Sequence, residues 1–392
     1  LRFGRLELAA SANNEVETAS SFVIEGVNAA VAAGSPFTVR GVGASFNATD
    51  GTIEFTDNTL SDATIASLSP AITTFNNLKA ANDAKINING GDEIFVRGDI
   101  TVNDVAILDA TLENTKIRMI DGKAQKLTGN STIVNPIKIS NLTVDKANNS
   151  DRVLLETDVE IIGEADAATS LILNKGILDL GEATLTVGAA GTGTGLVARH
   201  DGAIDGNKGT YVVNTGHMTP MLEDQFFTVD GRPTLYNLTV KADHVTANTL
   251  TVNGVLGLET GTLTVGEGAS SQNPIQLVLN GDLTRTSGLL AGDAAKSRLV
   301  LQGTGKTDPG LSNAYFGGLT PNQAFTTEFV RQEALGGNLT MANDAILRMN
   351  SGVNTLVVGS NTLKLDGPSG ITMISGTIDA GPTSTVNFVD IP

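Results

Sequence analysis

The chain repeats itself, and that limits its folds more than its length does. Four short segments coincide when the sequence is laid against itself: FNNLKA (75–80), ISNLTV (139–144), LYNLTV (235–240) and GGNLTM (336–341). Their asparagines, Asn77, Asn141, Asn237 and Asn338, lie 64, 96 and 101 positions apart. So long and elastic a period points to multi-coil modules with inserted loops rather than to a fixed short repeat. In each segment apolar residues stand two apart, as in Leu142 and Val144, Leu238 and Val240, or Leu339 and Met341. This is strand alternation, and it predicts those side chains inward and Thr143, Thr239 and Thr340 outward. A second motif, GTIEF (51–55), GTYVV (209–213) and SRLVL (297–301), precedes the NLT-like segments and returns as STVNF (384–388). Further strand-like runs follow, such as TLTVNGVLGLETGTLTVG (249–266), broken by N-G and T-G turns.

Short strands and tight turns build sandwiches, propellers or solenoids. Sandwich strands pair through hairpins and need no long-range self-similarity, whereas stacked coils set like residues above like residues. The expected fold is therefore all-β, a parallel β-solenoid of irregular multi-coil repeats over residues 51–392, with modules near 51–130, 131–208, 209–296 and 297–392. A string of small β-sandwiches is the alternative. Residues 1–50 are Ala-rich and less regular, which predicts an N-terminal cap or assembly segment with a short helix; residues 61–78 are a second, loosely helical stretch interrupted by Pro70. Composition agrees with a thin core: among 392 residues there are 44 Gly, 3 Tyr and no Trp, too few aromatics for the thick core of a compact enzyme of this size.

The runs GTIEF…TTFNNLKA…GDITV and RPTLYNLTVKADHVTANTLTVNGVLGLETGTLTVGE resemble the repeats of secreted bacterial β-solenoid surface proteins. The resemblance covers roughly residues 51–392. It implies an extracellular or cell-surface location, export of the type IX kind, and a role as adhesin, surface filament or biofilm matrix. No C-terminal sorting domain or anchor motif is visible, and the chain, which begins at Leu1, reads as a mature or processed product, with an excised fragment of a longer chain as the alternative.

With 25 basic and 42 acidic residues the net charge is −17. This disfavours nucleic acid and anionic membrane surfaces as partners. No apolar run reaches the roughly 20 residues that span a bilayer, and without cysteine there is neither a disulfide framework nor a thiolate metal site.

Some parallel β-helices cleave polysaccharides with carboxylates aligned from successive coils, so Glu223 with Asp224, Asp92 with Glu93, and Asp201 with Asp205 are candidates. None has a partner at a recognisable spacing, and solvated turns account for each. His200, His217 and His244 match no metal-ligand pattern, and surface or turn positions are expected. The loop Asp201-Gly-Ala-Ile-Asp205-Gly-Asn207 carries hard oxygen ligands, which makes Asp201, Asp205 and Asn207 weak candidates for Ca²⁺, the sole candidate cofactor. No G-x-S-x-G string is present. Arg97-Gly98-Asp99 falls inside the strand-like run EIFVRGDITV, where integrin-type recognition is not expected. The Asn-x-Ser/Thr sites at 47, 130, 141, 148, 237 and 338 are glycosylation acceptors only in a host that glycosylates; in the NLT strands a structural asparagine at a coil corner is the simpler account.

The functional expectation is an extracellular structural protein and no enzyme: a self-assembling, head-to-tail surface filament subunit or adhesin stalk. Its partners would be copies of itself and cell-surface or matrix polysaccharide. Assembly would join Phe22, Val23 and Ile24 by β-augmentation to the last strand, which carries Val386 and Phe388. A carbohydrate-binding or polysaccharide-cleaving β-helix is the alternative, and a trimeric tail fibre a third possibility.

Overall fold

The computed structural model describes residues 2–3, 6–9, 15–18, 21–25, 37–40, 45–56, 63–68, 72–82, 84–88, 93–103, 106–110, 115–129, 136–163, 170–188, 197–214, 224–266, 273–292, 296–305, 310–316, 326–329, 331–341, 346–366 and 370–389. It is a parallel β-solenoid with no α-helix among the described residues. The chain divides into two compact units, residues 1–209 with 217–220, and residues 210–216 with 221–392.

In the first unit each turn lays one short strand on each of three parallel sheets. The first sheet runs from Arg2–Phe3 through Phe22–Glu25, Thr52–Thr56 and Asn77–Ala81 to Ala203–Asp205; the second from Leu6–Ala9 to Thr184–Val187; the third from Glu15–Thr18 to Val197–Arg199. Strands of three to six residues alternate buried and half-buried positions, as in Glu93–Val96 and Ile100–Val102. Stacking in register sets inward residues over inward residues: Ile53, Leu78, Ile100 and Leu127 form one such column, and all are buried. Each buried Leu or Ile contributes about 1.5–3 kcal/mol of apolar burial, so the core is a set of thin, repeated columns.

The second unit repeats this logic. One sheet stacks Thr210–Val213, Asn237–Val240, Leu256–Leu258 and Leu283–Arg285; a second stacks His244–Thr246, Thr262–Val265 and Leu289–Gly292; a third begins with Leu250–Val252, Ile275–Leu279 and Ser297–Leu301. Tyr211 is fully buried, edge-on to Phe227 at 5.2 Å.

Three expectations change. The strands described within residues 1–50 already belong to the three sheets, and the expected short helix falls in part on residues outside the described ones. Their polar alternation, as in Glu15-Val-Glu-Thr18, is strand period two, which the high alanine content of the surrounding stretches masks. The loosely helical stretch is extended instead, with strands Ala63–Leu68 and Ile72–Phe75 on either side of Pro70; β-branched residues and proline disfavour a helix there. Thr143, finally, is buried at 4% exposure. It faces outward, but in register between Arg118 and Ile172, whose bulk flanks it on both sides. The other NLT positions fit: Leu142, Val144, Leu238, Val240, Leu339 and Met341 are all buried, and Thr239 and Thr340 are half-exposed.

Candidate functional site: side chains that bridge successive turns

A solenoid turn bends sharply between sheets, and its first amide at each strand start needs an acceptor. The chain supplies one with Asn or Asp placed directly before the first inward residue of a strand. The Asn77 Oδ1 accepts the Asp99 N–H at 2.8 Å, and Asp99 Oδ1 in turn accepts the Lys126 N–H at 2.8 Å. The same bond joins Asp158 to Thr184 (2.7 Å), Asn237 to Val255 (2.8 Å), Asp243 to Thr262 (2.8 Å) and Asn338 to Thr362 (2.9 Å). In the pairs whose strand register is recorded, donor and acceptor residues stand at the same register position one turn apart. Three of the four NLT-like asparagines thus hold the stack together. Asn141 is the variant: it is buried, and its Nδ2 donates to the Thr115 carbonyl at 3.2 Å.

Asn313 bridges in a related way, from the start of the 3-10 helix Asn313–Phe316 to Thr340 (2.7 Å). Asp224, a candidate catalytic acid, does the same from the start of the 3-10 helix Asp224–Phe227 to the middle of strand Leu250–Val252. Its Oδ1 accepts the Thr251 N–H at 2.6 Å and its Oδ2 the Thr251 hydroxyl at 2.8 Å. Burial pushes its carboxyl above the usual range, and the two Thr251 bonds oppose that shift. Glu223, Asp92 and His217 lie outside the described residues.

Charged residues bridge turns on the outward faces. Arg118 bonds Glu93 (2.8 Å) on the turn before it and Asp145 (3.1 Å) on the turn after it, and stands 5.5 Å over the Phe95 ring. Arg152 reaches both Asp179 and Asp205 at 2.7 Å. The Ca²⁺ candidates Asp205 and Asn207 sit here. Asn207, at φ 43°, donates its backbone N–H to Asp205 Oδ1 (3.1 Å) and its Nδ2 to Asp179 Oδ1 (3.4 Å). The cation between these carboxylates is a guanidinium. Asp201 is apart from them, exposed in a corner bend with its N–H on the Asn174 carbonyl. Among the described residues no three His, Asp or Glu side chains group closely enough to hold a metal.

Arg97-Gly98-Asp99 is a corner rather than a strand interior. Arg97 bonds Asn47 Oδ1 at 2.5 Å, and a Cβ on Gly98 would stand 2.1 Å from Asn77 Oδ1. The backbone bends there because only glycine fits against the preceding turn.

Lys146 and His244 are deeply buried, and neither signals this in the sequence. Lys146 is 3% exposed; its Nζ donates to the Ile120 carbonyl (3.2 Å) and to Gln125 Oε1, while Gln125 donates to the Val96 and Gly98 carbonyls. Burial lowers the amine to about 8 against the pull of Asp151 and Asp121. His200 is exposed as expected, but His244 is 3% exposed, in register with Leu263, and its Nε2 has no hydrogen-bond partner. Burial lowers its pKa to about 4. Asp-His-Val-Thr reads as a polar turn until the register shows that His244 and Thr246 are its inward positions.

Comparison with known proteins adds no relative. No family model, no curated protein and no solved structure matches the chain.

The assembly residues divide. Phe22, Val23 and Ile24 offer no free edge, because strand Phe22–Glu25 is paired in parallel on both sides, to Arg2–Phe3 and to Thr52–Thr56; a strand already flanked twice has no N–H row left for β-augmentation. In strand Thr385–Val389, Val386 and Phe388 stand in register with the buried Leu363 and Leu365, and Phe388 is 55% exposed.

Proposed function

We propose that the chain is a structural spacer of the surface-filament or adhesin-stalk kind, working outside the cell. The recurrent Asn or Asp bond between strand starts on successive turns carries this reading. It spends the polar side chains nearest the corners on turn-to-turn cohesion, and the candidate acid Asp224 with them. The extracellular placement rests on the sequence resemblance to secreted β-solenoid repeats. Single-molecule pulling of the full chain tests the mechanical part: extension in discrete steps of whole turns is expected, and featureless extension at low force would overturn it.

Head-to-tail joining of copies belongs to the same proposal, with Phe388 and Val386 as the apolar contact. Sedimentation velocity over a concentration series checks this part. The wild-type chain is expected to form larger species that Phe388→Ser abolishes, and a wild-type monomer at every concentration would remove the joint from the proposal.

A further inference from the structure

Lys79, Lys126 and Lys241 sit on outward faces, each beside a carboxylate, Glu54, Glu156 and Glu259. Lys146 is placed differently. It closes strand Asn141–Lys146 and is turned inward, 3% exposed. Among the described residues no carboxylate bonds to it, and the charges of Asp151 and Asp121 act on it from farther off. Its stem runs where Gly176, at φ 96°, leaves room: a Cβ there would stand 2.4 Å from Lys146 Cγ. The amine meets the Oε1 of Gln125, itself 1% exposed, and donates to the Ile120 carbonyl at 3.2 Å. Gln125 Nε2 is held by the Val96 carbonyl at 3.0 Å and the Gly98 carbonyl at 2.8 Å. These bonds give the carboxamide one orientation, with its carbonyl end toward the lysine. Register places Lys146 beside Asp121 and Gln125 beside Val153, so the two side chains meet across successive turns.

We propose that Lys146 and Gln125 form an intramolecular isopeptide bond, a cross-link that the chain makes by itself between successive turns. Burial lowers the amine to about 8, so a share of it is the uncharged nucleophile near neutral pH. The Nζ lone pair adds to Gln125 Cδ, the Cδ–Nε2 bond breaks, and Nε2 leaves as ammonia with the proton that Nζ gives up. Asp151 and Asp121, whose charges reach the amine, are the carboxylates placed to take the extra proton of its ammonium form. Nothing is oxidised or reduced, and no second substrate enters. Two groups held in contact react without the cost of finding one another, and a cross-link needs to form only once. Exchange of amide for amide is close to balanced, so release of ammonia into dilute solution makes it one-way. The bond also ends the cost of burying a charge, and its N–H keeps the Ile120 carbonyl as acceptor.

A cross-link of this kind stiffens a stalk but does not rest on that reading, and mass measurement and pulling fail separately. Intact-mass spectrometry of the denatured full chain tests it. The wild type is expected below its sequence mass by one ammonia, and tryptic digestion should release a branched peptide that joins Lys146 to Gln125. Lys146→Met and Gln125→Met should each keep their full sequence mass. Any unlinked wild-type fraction should link faster as pH rises, about tenfold per unit while the amine is still mostly charged. If neither variant folds, the wild-type mass and its branched peptide decide alone. A wild-type chain that keeps its sequence mass after prolonged incubation at mildly alkaline pH would overturn the proposal. So would an ammonia loss that maps, as a succinimide, to an Asn-Gly pair such as Asn253-Gly254 or Asn280-Gly281 with no branched peptide.

Discussion

Asn237 shows how one side chain acts across turns: its carbonyl oxygen takes the Val255 N–H, and its Nδ2 lies 3.4 Å from the Thr210 hydroxyl. Asn237→Ala should cost about 1–2 kcal/mol, because an amide at a strand start loses its acceptor. Asn237→Asp, which keeps an oxygen, should cost less; urea denaturation followed by tyrosine fluorescence compares them, since all three tyrosines, 211, 236 and 315, belong to the second unit. His244 is a residue-scale liability of the opposite kind. Its pKa is lowered by burial to about 4 from 6.5. Between those values the unfolded chain binds the proton and the folded chain does not, so stability falls as pH drops from about 6.5 to about 4 and the full benefit is present above 6.5. The loss amounts to about 3 kcal/mol. His244→Leu should flatten that part of the stability–pH curve; an unchanged slope would show that the imidazole finds a partner when protonated.

Corners are the elements in which the fold is most tightly specified. Arg199 Nε donates to the Gly202 carbonyl at 2.9 Å, and Arg285 Nε to the Gly288 carbonyl at 2.8 Å. In both corners the following amide bonds back to a leucine carbonyl one turn earlier, His200 to Leu173 and Thr286 to Leu258. Arg-x-x-Gly thus forms the corner at both Arg199 and Arg285, without the sequence advertising it. Glycine positions differ sharply in what they tolerate. A Cβ on Gly281 would meet the Gly254 carbonyl oxygen at 1.7 Å, whereas one on Gly257 would have only the Thr239 and Thr284 hydroxyls at 3.6 Å. Gly281→Ala should therefore destabilise the second unit by about 3 kcal/mol or more, and Gly257→Ala should shift the same tyrosine-monitored transition far less. The Asp179–Asp205 corner makes a different prediction. Removing its guanidinium with Arg152→Ala leaves two carboxylates facing one another beside Asn207. That variant should lose about 1–3 kcal/mol and regain part of it in millimolar Ca²⁺, whereas the wild-type melting temperature should not respond to Ca²⁺.

At the scale of the molecule, stability comes from repetition, because each turn rests chiefly on its neighbours. Chemistry follows the same rule among the described residues, with acids and bases dispersed along ladders. A panel of acidic and neutral polysaccharides incubated with the chain should therefore show no cleavage. Turnover that Asp224→Asn abolishes would return the carbohydrate-cleaving β-helix to first place.

The sequence by itself determined the all-β class, the stacking of coils and the inward set of the NLT strands, because period-two alternation and repeated L-x-V strings are local patterns that one strand displays alone. It also marked the NLT asparagines Asn141, Asn237 and Asn338 as structural, since the same residue recurs at the same offset from a leucine. Register was decided only in three dimensions. Which carboxylate meets which arginine depends on loop lengths between turns, and those loops vary, so Asp205 looked like a metal ligand until Arg152 was found beside it. The same holds for His244, which sits in the polar-looking run Asp-His-Val-Thr but stands in register with the buried Leu263. The first 50 residues read as a cap because alanine hides strand alternation, and only pairing with later turns, as of Phe22–Glu25 with Thr52–Thr56, made them part of the stack. A strand of four residues is too short to hold its shape alone; its neighbours one turn above and below decide it.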